Sequence, residues 1–357
     1  MTSIPSRRSL LARAAILGAA VPLSGFAPPT RSALTGPGAV DFDNLPICTV
    51  AADGPNPTGP LRKLTLAWNA SAICTATAPV AKEKGIFAKH GLDVGFVNFG
   101  GSTEQLLEAI ATGKADGGIG MALRWLKPLE QGFDVKITAA THGGCMRLVG
   151  SKAHGTTTLA SLKGKTIAVS DQASPSKNFF ALLLAKAGID PEREVTWRNY
   201  PADLLPLAIE KGEAQALAEG DPLTYLFLKD QKLVEIATNL TGEYANRSCC
   251  VVAVRGSLVR DNRDVAGALT KAILEAGHIV ANDPRTAARI FSGYGGKGSV
   301  EDLVAMLSDQ THNHQPVGTD LKKEIELYVE ELKVVNVIRQ RTDSAKFAER
   351  VYADVLS

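Results

Sequence analysis

From Leu61 onward the apolar positions alternate between two rhythms. Residues 64–68 (Leu-Thr-Leu-Ala-Trp) read as a strand. Residues 79–90 carry apolar positions at helical spacing, with Pro79 in the first turn and Gly91 at the stop. The pattern then predicts a strand over 92–99 and a helix over 104–112 with Ser102 or Thr103 as its cap. A short strand over 116–120, a helix over 121–131 and a strand over 135–140 follow. This β-α-β-α grammar predicts an open α/β sheet with helices on its faces.

The polar stretch 151–159 ends the first run, and a second begins. It predicts strands over 165–170, 195–199 and 214–218, with helices over 176–187 and 202–211 between them. Residues 248–254 read as one more strand, followed by helical sequence to the C-terminus. Two α/β units with the same grammar are therefore expected, the second inserted into the first. The expected boundaries are 61–152 and 255–357 for lobe one and 156–247 for lobe two.

The N-terminus has a different character. Ser6-Arg7-Arg8-Ser9-Leu10-Leu11 precedes an uncharged stretch of small and apolar residues over 14–23. It resembles a twin-arginine (Tat) export signal, with Leu10 where Phe is usual; a Sec signal that happens to hold two arginines is the alternative. A signal peptide over 1–27 and a Pro- and Gly-rich linker over 28–60 are expected. No lipobox precedes Cys48, so a free periplasmic protein is expected. The chain's 39 Lys+Arg against 37 Asp+Glu leave a net charge of +2, which argues against nucleic acid as a partner. Five cysteines in 357 residues exclude a disulfide-stapled miniprotein.

Four blocks carry a family resemblance. The first is Ala78-Pro79-Val80-Ala81-Lys82-Glu83-Lys84-Gly85-Ile86-Phe87 with His90-Gly91-Leu92-Asp93-Val94. The second runs from Gly101-Ser102-Thr103 to Gly113-Lys114-Ala115-Asp116, the third is Leu162-Lys163-Gly164-Lys165-Thr166-Ile167-Ala168, and the fourth is Asp221-Pro222. Together they resemble the periplasmic solute-binding proteins of ABC transporters for nitrate, sulfonates, taurine and thiamine-pyrimidine precursors, the NitT/TauT group. The resemblance implies a type II-like periplasmic binding protein fold: two α/β lobes, two crossover strands and an interlobe ligand cleft. It also implies a permease and an ATPase as partners, a monomer, no cofactor and no turnover.

In open α/β sheets ligands sit beyond the carboxyl ends of strands, where helix N-termini offer free N–H groups. On that rule the expected cleft residues of lobe one are Trp68, Asn69, Cys74, Gly101, Ser102, Thr103, Met121 and Arg124, then Thr141, His142, Gly143 and Cys145. Those of lobe two are Asp171, Ser174, Ser176, Glu219 and Asp221, with Cys249 on the return crossover. Trp68 also reads as a core aromatic, Ser102 and Thr103 as a plain cap, and Arg124 as half of an ion pair.

The cysteines admit three readings: small buried hydrophobes, a disulfide, or ligand contact. The last includes a soft-metal site from Cys74, His142, Cys145, Met146 and Cys249, although no CxxC or HxxxH spacing supports one. Cys249 and Cys250 cannot share a face of one strand. His312-Asn313-His314 is expected at the surface. An enzyme rival, the thiamine-pyrimidine synthase, resembles this group and carries a cysteine run where Ser248-Cys249-Cys250 stands. It uses a histidine where this chain has Arg124. Three acids on lobe two, Asp171, Glu219 and Asp221, point to a small polar organic solute, such as a sulfonate, zwitterion or heterocycle, rather than a simple inorganic anion.

Overall fold

The structure is a computed structural model that describes residues 59–99 and 103–357. The expected signal peptide over 1–27, nearly all of the 28–60 linker, Gly101 and Ser102 lie outside the described residues.

The first sheet is laid down in the expected order. Strand β1 is Arg62–Trp68 and β2 Leu92–Asn98, joined by helices α1 (Thr77–Glu83) and α2 (Ile86–Lys89). A single helix over 79–90 was expected. Gly85 breaks it, because its φ of 67° is left-handed and glycine bears that conformation without strain. Helix α3 (Thr103–Ala111) leads to β3 (Gly117–Met121), and α4 (Ala122–Glu130) to β4 (Val135–His142). The strand order is β2-β1-β3-β10-β4, where β10 is Cys250–Arg255 and runs antiparallel to both neighbours.

The second sheet repeats the plan. Its strands are β5 (Met146–Ser151), β6 (Thr166–Val169), β7 (Thr196–Asn199), β8 (Ala216–Gly220) and β9 (Leu233–Thr238), in the order β7-β6-β8-β5-β9. Helix α5 (Pro175–Lys186) follows β6, α6 (Leu205–Glu210) precedes β8, and α7 (Leu223–Phe227) follows β8. Here β5 is the antiparallel strand between β8 and β9. The expected lobe-one boundary at 152 therefore stands too late, since β5 pairs in the second sheet. No strand was expected over 146–151 either: its six residues are all buried, so no apolar-polar alternation marks it. In the same way β10, most of which the 255 boundary left out, is central to the first sheet.

The chain crosses between sheets twice, at 143–145 and 239–249. The two crossings touch through backbone. A Cβ on Gly143 would stand 2.2 Å from the carbonyl oxygen of Ala245, and one on Gly144 would stand 2.1 Å from that of Asn239. The Cys249 N–H donates to the His142 carbonyl at 2.9 Å, and the Cys145 N–H to Asn239 Oδ1 at 2.9 Å.

The remainder is helical: α8 (Gly256–Asp261), α9 (Arg263–Asn282), α10 (Pro284–Gly293), α11 (Val300–Asp309), α12 (Gly318–Val334) and α13 (Ser344–Val351). Helix α9 buries Val265, Leu269, Ile273 and Val280 on one face. The two sheets also meet away from the crossings. Asn178 on α5 donates to the Leu123 carbonyl at 3.1 Å, Lys297 pairs with Asp203 at 2.6 Å, and Lys229 pairs with Asp302 at 2.5 Å. No helix among the described residues is long and apolar enough to cross a membrane.

Candidate functional site

Strand ends of both sheets face a cavity of about 120 Å³. From the first sheet's side come Asn69, Ser71, Cys74, Thr75, Met121 and Cys250, and from the second's Ser170, Asp171, Ser174, Glu219, Gly220 and Asp221. Leu106, Ile119, Pro175 and Leu223 add apolar wall. No Lys, Arg or His is among the described residues that line it.

Local structure explains each polar wall. After β1 the chain turns on Asn69, whose Oδ1 accepts from the Ser71 N–H at 2.9 Å and hydroxyl at 2.6 Å. The short 3₁₀ turn Ile73–Thr75 then presents Cys74. After β6, Asp171 Oδ1 accepts from the Ala173 N–H, and Ser174 caps α5 by accepting from the Lys177 N–H at 3.1 Å.

The three acids differ in what they have left to offer. Asp171 Oδ2 pairs with Arg124 at 2.9 Å. Asp221 is buried and fully engaged: its carboxylate takes Arg147 Nε at 3.1 and 3.2 Å, the Thr224 hydroxyl at 2.7 Å and the Tyr225 N–H at 3.1 Å. Burial raises the Asp221 pKa, opposed by the charge of Arg147. Burial works against the Arg147 cation as well, but Asp221 and Glu235 beside it hold its pKa above the ordinary value. Glu219 is the acid with capacity to spare. Its Oε1 accepts from the Gly220 N–H at 2.9 Å, while its Oε2 is buried without a well-formed hydrogen bond. Burial raises its pKa, and the Ser170 hydroxyl opposes the rise.

Beneath the cavity lies a knot of sulfur and imidazole. Cys74, Cys145, Cys249 and Cys250 are all buried free thiols. Cys145 and Cys249 meet at 3.4 Å between sulfurs. Hydrogen bonding to Cys145 and then Cys250 holds the Cys74 thiol well below its ordinary pKa, and bonding to Cys249 and then Cys74 pushes Cys250 well up. His142 is wholly buried; the Cys74 thiol and the Gly143 backbone lie beside its ring, but neither ring nitrogen makes a well-formed hydrogen bond. Burial works against its charge, yet the neighbouring Cys74 leaves its pKa raised. His312 packs on it with ring centroids 5.1 Å apart, and burial brings His312 down to about 3.

Several expected site residues stand elsewhere. The Trp68 indole is buried against Phe96 at 5.3 Å and Tyr294 at 5.7 Å, because cross-strand and helix neighbours claim it. Arg124 is buried at the start of α4 with Asp171 as partner and does not line the cavity. Thr141 is buried in the sheet, its hydroxyl donating to the Cys250 carbonyl at 3.3 Å. Ser176 is buried in the first turn of α5. His142, Cys145 and Cys249 lie behind the cavity wall. Gly143 serves the crossing. Gly101 and Ser102 are outside the described residues, and Thr103 opens α3. Asn69, Cys74, Met121, Asp171, Ser174, Glu219 and Asp221 do line the cavity. Ser71, Thr75, Ser170 and Cys250 also line it and were not expected there, although each neighbours a residue that was. His312, expected at the surface, is 1% exposed. His314 pairs with Glu324 at 2.8 Å.

Comparison with known proteins agrees with this architecture. No curated protein matches the sequence. The alkanesulfonate-binding protein SsuA from Xanthomonas axonopodis pv. citri, bound to MOPS, is 16% identical with a TM-score of 0.68; the match covers 81% of this chain and 98% of that one. The periplasmic nitrate-binding protein NrtA from Synechocystis PCC 6803 is 15% identical with a TM-score of 0.68, covering 83% and 87%. The ligand-binding component of an ABC-type import system from Staphylococcus aureus, with zinc bound, is 16% identical with a TM-score of 0.67, covering 83% and 97%. At these identities the likeness establishes the fold, that of the periplasmic binding proteins. The NMT1-like family model matches residues 58–292, from before β1 to the end of α10, so both sheets and both crossings fall within it, and the chain belongs to the NMT1-like family.

Proposed function

We propose that this protein is the exported solute receptor of an ABC importer. It holds a small polar organic solute between its two sheets, closes on it by bending at the crossings, and delivers it to a membrane permease coupled to an ATPase. It turns nothing over. A periplasmic address and the twin-arginine route belong to the same reading.

The observation that carries the proposal is the cavity itself: a small space walled by strand ends of both sheets, with one buried carboxyl oxygen, Glu219 Oε2, lacking a well-formed hydrogen bond at its wall. A ligand that touches both walls binds the closed form better than the open one, which is what drives closure. A buried carboxyl oxygen without a well-formed hydrogen bond is costly, and a solute N–H or cationic group would repay it.

The same wall speaks against a simple inorganic anion. Such a ligand about 4 Å from an ionised Glu219 would lose on the order of 4 kcal/mol at an effective dielectric of 20. That is about half of the ~8 kcal/mol of a micromolar complex, and no cation among the described lining residues offsets it. An amino-sulfonate, another zwitterion or a polar heterocycle fits better.

Mass spectrometry of solute released from freshly purified protein tests the reading, together with thermal-shift titration. Stabilisation by an amine-bearing or heterocyclic solute, lost in Glu219→Gln, is the expected result. Micromolar stabilisation by nitrate or bicarbonate alone would overturn the solute class. Multiple turnover of any bound compound would overturn the receptor.

A further inference from the structure

The solute reading leaves the sulfur–imidazole knot unused. Cys74 lies in the turn after β1, His142 ends β4 and Cys250 opens β10, so three separate elements of one sheet deliver these side chains to one place. Their donor atoms all lie within 4.8 Å of one another, and all three residues are buried. Two sulfurs bound at ~2.3 Å to one tetrahedral ion lie about 3.8 Å apart, so shifts of about half an ångström per donor would close the set on a common ion.

His142 supplies an independent observation. A buried imidazole ordinarily spends at least one nitrogen on a well-aligned hydrogen bond, yet His142 has only the Cys74 thiol and the Gly143 backbone beside its ring, and neither nitrogen makes a well-formed bond. A metal bond would satisfy it. The arrangement is also one-sided: Cys74 and Cys250 line the cavity, while His142 does not.

We propose that Cys74, His142 and Cys250 bind a thiophilic divalent cation of the zinc class at the floor of the cavity, with a fourth position open to it. The charge balance selects the class. Two thiolates and one neutral imidazole around a divalent ion sum to zero, which a buried site tolerates; a monovalent soft ion would leave a net negative charge. Hard cations prefer oxygen donors, which this set lacks. Binding replaces two S–H bonds by two metal–sulfur bonds and releases two protons to solvent. Two cysteines, one histidine and an open place form a donor set that leaves room for water or a small ligand. Cys145 and Cys249, in contact with each other, are outside the set.

The proposal goes beyond solute binding, and its test uses no solute. The reduced full chain is titrated with Co²⁺ as a spectroscopic stand-in for zinc. One equivalent, with intense thiolate-to-cobalt charge-transfer bands displaced by Zn²⁺, is the expected result. Cys74→Ser and Cys250→Ser should each weaken binding at least tenfold, and Cys249→Ser less than threefold. Azide, small enough for the cavity, should shift the cobalt d–d bands. Zinc-edge X-ray absorption on the unaltered protein needs no variant to fold, and should show two sulfur scatterers with light atoms completing the shell. Absence of stoichiometric cobalt, a shell with no sulfur or more than two, bands unmoved by azide, or equal losses in Cys249→Ser and Cys74→Ser would each overturn the proposal.

Discussion

Replacing Arg147 by Met separates two roles that Asp221 could have. The expectation from sequence made Asp221 a partner for the solute, whereas the structure gives its carboxylate to Arg147, Thr224 and Tyr225. In Arg147→Met the carboxyl keeps only the hydroxyl and one N–H, in a side chain with no solvent exposure. Breaking a buried pair by removing one partner costs about 3–5 kcal/mol. Protonation caps the loss: carrying a proton at pH 7 on an acid of ordinary pKa about 3.9 costs about 4 kcal/mol, and at pH 5 about 1.5 kcal/mol. The sign follows from the linkage. An acid whose folded pKa is raised is comfortable below its unfolded pKa and loses stability as pH rises toward the folded value. The deficit of Arg147→Met should therefore grow from pH 5 to pH 7, by up to about 1.4 kcal/mol per unit. Adding Asp221→Asn should recover most of it, since the amide oxygen still accepts from Thr224 and Tyr225. Urea unfolding at several pH values measures all three proteins. A single variant within about 1 kcal/mol of the parent at pH 7, or a deficit that grows toward acid, would refute the reasoning, because removal of a partner from a buried carboxylate should do neither.

Three more outcomes are expected. Burial raises the Glu219 pKa, so its cost appears as pH climbs past the ordinary carboxylate value of about 4.3; Glu219→Gln should gain stability relative to the parent from pH 4 to pH 8, and a flat difference in melting temperature would count against it. Gly144→Ala would push a Cβ to 2.1 Å from the Asn239 carbonyl oxygen and should cost about 2 kcal/mol or more, whereas Gly293→Ala, at the end of α10 with open space, should gain about 0.5 kcal/mol; equal effects on the urea midpoint would contradict the packing at the crossings. Reversing both ties between the sheets, with Lys297→Glu and Lys229→Glu, should increase the radius of gyration of the solute-free protein by X-ray scattering, and an unchanged profile would show that these ties do not hold the two sheets together.

The fold was legible where burial is one-sided and missed where it is not. Periodicity marks β2, where buried Leu92 and Val94 alternate with exposed Asp93 and Gly95, and α3, which buries Leu106, Leu107, Ala109 and Ile110 on one face. It missed β9, an edge strand whose residues after Leu233 are all half-buried, so no alternation stands out. It joined α1 to α2 because Gly85 breaks the helix through its own φ and leaves the apolar spacing intact. It drew the first boundary late because the crossing is marked by Gly143 and Gly144, not by the polar stretch downstream. Those glycines are needed for the Ala245 and Asn239 backbones about a hundred residues away, and nothing local reports that contact.

The site divides along the same line. A residue at a strand's carboxyl end can be placed near a cavity from its own segment, and Asn69, Asp171 and Glu219 are of that kind. Which face it turns inward depends on its neighbours. Alternation allows only one of Cys249 and Cys250 to face the cavity, and Cys249 was the expected one. The register selects the other: Cys250 pairs with Met121 on one side and His142 on the other, which turns its sulfur toward Cys74, while Cys249 falls in the crossing and meets Cys145. His312 adds the same lesson from further away. It reads as a polar loop residue by its neighbours Asn313 and His314, but packing against His142 encloses it. The knot beneath the cavity is thus assembled from four separate stretches of chain, around 74, 142–145, 249–250 and 312. Its chemistry exists only in the register that joins β3, β10 and β4.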